Sequence, residues 1–166
     1  MERKLDDARI RPVWAYVLGI ALSEAVGGLA ALLTRDGMEL YRAVVEKPPL
    51  SPPAVVFPIV WAILYALMGV GAARVYLAPD VGAARRRGLA LFLAQLAFNF
   101  VWSLLFFRWE AYGAAFFWLL ALWALILWMT LSFRETDPLA AKLQIPYLVW
   151  VLFAGYLNLG VWLLNR

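Results

Sequence analysis

Five apolar stretches, each long enough to cross a bilayer as a helix, occupy most of this 166-residue chain. They cover 12–33, 53–77, 84–107, 111–133 and 139–164. Each reaches the roughly 20 residues that a hydrocarbon core about 30 Å thick demands of a helix. Hydrophobic residues make up 65% of the chain, against roughly 45–50% in soluble domains. A soluble fold of this size has no interior large enough for that excess, so lipid must cover it. A barrel would need short alternating segments, and these runs are long and uniformly apolar. The expectation is an all-α membrane protein: one domain over 1–166, a bundle of five transmembrane helices.

What the chain lacks narrows its chemistry. It contains no cysteine and no histidine. That removes thiolate nucleophiles, disulfides, the commonest metal ligand and the commonest general base near neutral pH. No metal site is expected and no cofactor is required. An imidazole cannot ligate haem here, so a tetrapyrrole would be held by stacking, shape and peripheral contacts.

The net charge of +4 does not point to nucleic acid, because the basic residues sit where membrane topology signals belong. With the N-terminus inside, the inner segments hold ten: Arg3, Lys4, Arg9, Arg11, Arg74, Arg85, Arg86, Arg87, Arg134 and Lys142. The outer segments hold five: Arg35, Arg42, Lys47, Arg108 and Arg166. The positive-inside rule then places the N-terminus in and the C-terminus out. The first span reads as retained rather than as a signal peptide. Its apolar run is long, it contains Glu24, and no small-x-small cleavage site ends it.

Three connections are short, at 78–83, 108–110 and 134–138, whereas the first loop runs over 34–52. Within it Met38, Tyr41, Val44 and Val45 share a face, which predicts a short interfacial amphipathic helix. Lys47-Pro-Pro-Leu-Ser-Pro-Pro53 follows. Prolines fix φ and restrict the residue before them, so this piece is stiff and extended. It is either a rigid linker or a lid over one mouth of the bundle.

Polar and aromatic side chains recur on three helical faces. Gln95, Asn99, Trp102 and Phe106 align on the third span, Trp61, Tyr65 and Met68 on the second, and Tyr147, Trp150, Ala154 and Asn158 on the fifth. Amides at mid-membrane are costly against lipid, so these faces should meet. They make either a pocket or interhelical hydrogen-bond glue. Trp61 and Trp150 lie well inside spans and would form an aromatic wall for a flat ligand, unless they simply pack the core. Trp14, Trp109 and Trp162 read as interfacial belt residues. Trp118, Trp123 and Trp128 share no face, which predicts a fourth helix that serves as scaffold and largely faces lipid. Glu24 is the one acid deep in a span, supporting either function or structure. Small residues at Ala62/Ala66 and Ala90/Ala94 have a spacing that permits a homodimer through the third helix.

Several strings together resemble the translocator protein family (TspO/MBR), also called tryptophan-rich sensory proteins or peripheral-type benzodiazepine receptors. They are Lys47-Pro48-x-x-x-Pro52-Pro53, Phe57-Pro58-x-x-Trp61-x-x-x-Tyr65, Gln95-Leu96-Ala97-x-Asn99-x-x-Trp102-x-x-x-Phe106-Phe107, and Pro146-Tyr147-Leu148-x-Trp150-x-x-x-Ala154-x-x-Leu157-Asn158. The resemblance implies a five-helix bundle, often dimeric, that binds porphyrins, haem-like tetrapyrroles and synthetic benzodiazepine-type ligands in a cavity closed by the first loop. Carried over by position, the ligand-binding residues are Tyr41, Trp61, Asn99, Tyr147, Trp150, Ala154 and Leu157. Glu24, Gln95, Trp102 and Asn158 are expected in support. Leu40 and Leu50 stand where the family usually has aromatics, so this loop offers less stacking surface. No basic residue follows Tyr156 until Arg166, so the sterol-recognition pattern is not met.

The leading expectation is a membrane receptor or carrier for porphyrins and similar flat hydrophobic molecules, with a sensory or tetrapyrrole-regulating role. The alternative is an enzyme that degrades porphyrin with light and oxygen through Trp61 and Trp150, the roles the resemblance attaches to those positions in some bacterial relatives. Lipid or sterol binding, or the scaffolding of a partner, is a further alternative. Coupled pumping is not expected, because no broken-helix pair or internal repeat is visible.

Overall fold

The computed structural model describes residues 2–79 and 82–166, with side chains described from Pro12 onward. The side chains of Arg3, Lys4, Arg9 and Arg11, which carry part of the expected charge bias, lie outside that set. Among the described residues every regular element is helical: α1 (Glu2–Ala43), α2 (Val56–Leu77), α3 (Gly82–Ser103), α4 (Tyr112–Thr136), α5 (Pro138–Lys142) and α6 (Ile145–Leu164). A five-residue π-helical turn, Leu104–Arg108, continues α3. Five spans are long and apolar enough to cross a membrane, the last made of α5 and α6 together. The protein is an integral, multi-pass helical membrane protein.

α1 corrects one expectation. The residues from Thr34 to Ala43 are not a separate interfacial helix but its continuation, since no proline breaks the helix there and Arg35, Met38, Glu39, Leu40, Arg42 and Ala43 favour it. At 1.5 Å per residue its 42 residues measure roughly 63 Å, twice the hydrocarbon thickness. Its last three turns therefore reach past the membrane over the end of the bundle, and the true loop is only 44–55. The inward face of α1 is narrow and small: Gly19, Ser23, Gly27, Ala30, Thr34 and Gly37 recur at spacings of three and four. Ser23 and Thr34 turn their hydroxyls back onto the carbonyls of Gly19 and Ala30, so no polar group faces the neighbour unpaired. The absence of Cβ atoms lets backbones touch. A Cβ on Gly19 would stand 2.5 Å from the Gly69 carbonyl oxygen on α2, the close approach that small residues allow between membrane helices.

The fifth span is broken at Leu143-Gln144. Pro146 lacks an N–H and its ring would clash with the carbonyl four residues back, so a continuous helix cannot run through it. It serves instead in the first turn of α6. α5 begins with Asp137 as its N-cap, whose side chain accepts from the amides of Leu139 and Ala140.

The fourth helix keeps most of its surface outward, as expected, around one buried stripe. Ala115, Leu119, Leu122, Ile126, Met129 and Phe133 form a fully buried stripe against α3 and α6. Trp118 donates to the Phe98 carbonyl at 2.8 Å and Trp123 to that of Leu148 at 3.1 Å. Only Trp128 of the three points outward, 57% exposed. Trp118 and Trp123 turn inward because an indole N–H in a membrane interior needs an acceptor, and a neighbouring helix backbone supplies it. Trp14 and Trp109 are exposed near span ends, as belt residues are. Trp162 instead packs on Gly113, with the Arg166 guanidinium over its ring.

Candidate ligand cavity

α2 meets the fifth span chiefly through the short α5, at the end of the bundle away from the 44–55 loop. Toward the loop end α2 and α6 part, and a cavity of about 270 Å³ fills the space between them, α1 and α3. Trp61 and Phe57 of α2, Trp150, Ala154 and Leu157 of α6, and Asn99 and Trp102 of α3 form its walls. Gly27, Ala30 and Thr34 of α1 close one side, and Tyr41, Arg42 and Lys47 stand at the mouth.

Local backbone geometry sets much of this wall. In the π turn the Trp109 amide donates to Leu104, five residues back, at 3.0 Å. A regular helix turns about 100° per residue and aims neighbouring side chains apart. The widened turn lets both Phe106 and Phe107 line the cavity, the use to which π-bulges are often put. Trp102 stacks on Phe106 at 5.4 Å, and Tyr41 packs against Phe106 at 5.6 Å and Phe107 at 5.7 Å. Tyr41 thus caps the aromatic column from α1, not from a loop.

Behind the wall runs a chain of buried hydrogen bonds. Tyr65 donates to Asn99 Oδ1 at 3.2 Å, and Asn99 Nδ2 donates to the Tyr147 hydroxyl at 2.7 Å. Tyr147 donates to Gln95 Oε1 at 2.9 Å, and the Gln95 amide reaches Met68 Sδ at 3.7 Å. A second chain links Trp102 Nε1 to Asn158 Oδ1 at 3.1 Å and Asn158 Nδ2 to the Tyr112 carbonyl at 2.8 Å. The amides are therefore interhelical glue, and Asn99 and Asn158 also show a face to the cavity.

The expected site residues sort accordingly. Tyr41, Trp61, Asn99, Trp150, Ala154 and Leu157 come together around the cavity, with Trp102 and Asn158 beside them. Tyr147 does not line it. Only 1% exposed, it lies behind Trp61, ring centroids 6.1 Å apart, and braces Asn99. Helical spacing put Tyr147 on the pocket face of α6, but the indole of Trp61 stands between it and the space. Gln95 is likewise fully buried behind the wall. Glu24 is half-buried at the edge of the α1 face and does not reach the cavity. One polar atom on the wall stands out: Trp150 Nε1 is buried and, among the described residues, has no hydrogen-bond partner.

The loop over the mouth is fastened to α6 by residues that no helical-face pattern singled out. Pro48 packs where Gly160 leaves no side chain, since a Cβ there would come within 2.5 Å of it. Tyr156 donates to the Pro49 carbonyl at 2.8 Å, and Asn165 bonds the backbone of Glu46. Lys47 turns inward, its Nζ donating to the carbonyls of Val45 at 3.2 Å and Arg42 at 3.3 Å and lying 5.0 Å from the Tyr41 ring centroid.

Fold and site together define a class: a polytopic helical membrane protein with an aromatic cavity bordered by an ordered loop. The chain belongs to the TspO/MBR family, whose sequence profile matches residues 19–163. It is 34% identical over 160 residues to the translocator protein of Bos taurus, covering 93% of each chain. It is 33% identical over 160 residues to the tryptophan-rich protein TspO of Chlorobaculum tepidum, covering 93% of this chain and 98% of that one. The CrtK protein of Rhodobacter capsulatus is 35% identical over 120 residues, 72% of this chain and 75% of that one.

Proposed function

We propose that this protein is a receptor or carrier for porphyrins and similar flat hydrophobic molecules, taken into the cavity beneath the 44–55 loop. The observation that carries the reading is the pairing of Trp61 and Trp150 on walls of one cavity, with the Trp150 N–H unpartnered. Indole faces supply stacking on the order of 0.5–1.5 kcal/mol per ring beyond burial, and a buried donor without a partner favours a ligand carrying an acceptor. At about 270 Å³ the cavity lies just under the roughly 300–1,000 Å³ of drug-sized sites. A tetrapyrrole therefore seats with one edge in the mouth, its carboxylates toward Arg42 and Lys47. No separate cofactor enters this reading, and porphyrin is cargo. We place the loop end of the bundle on the outer side, because ten of the fifteen basic residues in the sequence belong to the segments at the other end.

The test is titration of the purified protein with protoporphyrin in the dark, followed by the shift of the porphyrin absorption band. Trp150→Ala is expected to weaken binding at least tenfold, the equivalent of about 1.4 kcal/mol of lost contact. Unchanged affinity in both Trp150→Ala and Trp61→Ala would overturn the assignment.

A further inference from the structure

The molecule carries a second concavity, outside the bundle and at the end away from the lid. Where α1 and α2 cross backbone to backbone at Gly19 and Gly69, a groove of about 1040 Å³ opens between α1, α2 and the start of α3. Its walls include Trp14, Leu18, Tyr76 and Phe92, and Arg85 and Arg86 stand at its rim. Phe92 is buried in the floor, whereas Trp14, Leu18 and Tyr76 are more than half exposed. Along α3 the distance from Arg85 to Phe92 is roughly 10 Å at 1.5 Å per residue, so the groove is apolar along its length and cationic at one end.

The arginine triplet divides its labour. Arg87 is committed to the fold, donating to Ser132 and pairing with Glu135 on α4. Arg85 spends one N–H on the Ala78 carbonyl at 3.4 Å. Arg86 has no hydrogen bond or ion pair among the described residues. Two guanidiniums with donors to spare thus stand at the rim of an apolar trough, flanked by the exposed aromatics Trp14 and Tyr76. We infer that this groove is a binding site for an anionic phospholipid, its phosphate held by Arg85 and Arg86 and one acyl chain laid against Leu18 and Phe92. Basic pockets between membrane helices recognise anionic headgroups in this way, and the charge at the rim is what separates such a site from ordinary lipid contact.

The experiment titrates the full chain in neutral detergent with phosphatidylglycerol carrying brominated acyl chains, and with phosphatidylcholine carrying the same chains. The signal is quenching of Trp14, isolated as the difference between the wild type and Trp14→Phe. Phosphatidylglycerol is expected to act at concentrations about tenfold to thirtyfold lower. R85Q/R86Q should bring the two lipids to within about twofold, while R85K/R86K keeps most of the gap and shows that charge rather than misfolding is responsible. R134Q, which removes a charge at the same end of the bundle but outside the groove, should leave the preference intact. Equal quenching by both lipids, a preference that survives R85Q/R86Q, or an equal loss in R134Q would overturn the site. So would efficient disulfide dimerisation of Leu18→Cys in this cysteine-free chain, which would seat a second copy in the groove instead.

Discussion

Asn165 closes a two-way clasp on the backbone of Glu46, 119 residues earlier in the chain: its Oδ1 accepts from the Glu46 amide at 3.0 Å and its Nδ2 donates to the Glu46 carbonyl at 2.9 Å. The clasp joins the residue that ends α6 to the start of the 44–55 loop, so breaking it should loosen the loop over the mouth. Each bond contributes about 0.5–1 kcal/mol at this exposed position. Asn165→Ala is expected to speed porphyrin dissociation about threefold to tenfold, while its association rate rises too and its equilibrium affinity changes less. Stopped-flow mixing reads this directly. A dissociation rate equal to the wild type would show that the lid is held by Pro48 and Tyr156 alone.

Lys47 serves α1 and the mouth at once. Its ammonium bonds two carbonyls of the α1 C-terminal region and lies near the Tyr41 ring, which leaves its positive charge at the cavity entrance. A carboxylate meeting it there stays partly hydrated, and such rim pairs contribute about 0.2–1 kcal/mol. Lys47→Gln is therefore expected to weaken protoporphyrin binding up to about fivefold and to leave the uncharged dimethyl ester unaffected. Equal losses for diacid and ester would mean that Lys47 acts through the lid's shape rather than through charge.

The length and uniform apolarity of the runs made the spans legible, and helical spacing made the three aromatic-amide faces legible, because burial in a membrane bundle is written at spacings of three, four and seven. The faces that carry Trp61, Asn99, Trp102, Trp150 and Asn158 meet around one cavity. Helical spacing misplaced Tyr147, since sharing a face with Trp150 does not say whose ring lies in front. The π turn was hidden, because Leu104–Arg108 carries no glycine or proline to announce a change of pitch. The continuation of α1 to Ala43 was hidden too, since an amphipathic pattern does not distinguish a new helix from an old one leaving the membrane. Asn165 and Gly160 were silent for a plainer reason: their partners are in the lid, more than a hundred residues away.

Gly37 is where α1 rests on the π turn. A Cβ there would fall 1.8 Å from the Phe107 carbonyl oxygen, and that obstacle is backbone, which cannot rotate aside. Gly37→Ala must push α1 away from Phe107 and carry Tyr41 with it. The expected cost is about 1–3 kcal/mol of stability, read as a lower melting temperature in detergent, together with weaker porphyrin binding. Gly28, about two and a half turns earlier on α1, has nothing within 4 Å of its would-be Cβ, so Gly28→Ala should be neutral or slightly stabilising.

Asp137 links the fourth and fifth spans to the second. Burial alone would raise its carboxyl, but hydrogen bonds from the Ala140 amide, the Arg74 side chain and the Leu139 amide more than offset this and hold it below the ordinary value of 3.8. The Arg74 guanidinium lies 2.8 Å away. A group whose folded value is depressed stabilises the fold above its unfolded value and loses that contribution as pH falls through the folded one. The wild type is therefore expected to lose stability relative to Asp137→Asn as pH falls from 5 to 3, with the gap constant between 6 and 8. Thermal unfolding across that range measures it. At neutral pH Asp137→Ala should cost about 0.5–2 kcal/mol through the lost cap.

The Tyr147 hydroxyl and Asn99 are neighbours in one hydrogen-bond chain, but only Asn99 faces the cavity, and this separates stability from binding. Tyr147→Phe removes a hydroxyl that accepts from Asn99 and donates to Gln95, leaving two buried amide groups short of a partner. In a membrane bundle such a loss averages about 0.6 kcal/mol per bond, so the melting temperature should fall. The ring stays behind Trp61, however, and porphyrin affinity should remain within about threefold of the wild type. Asn99→Ala breaks the same chain and also takes a polar group off the wall, so it should lower both stability and affinity, the latter by about tenfold. If Tyr147→Phe weakened binding as much as Asn99→Ala does, the phenol rather than the amide would be the group in contact with ligand, and Trp61 would have to swing aside to let it through.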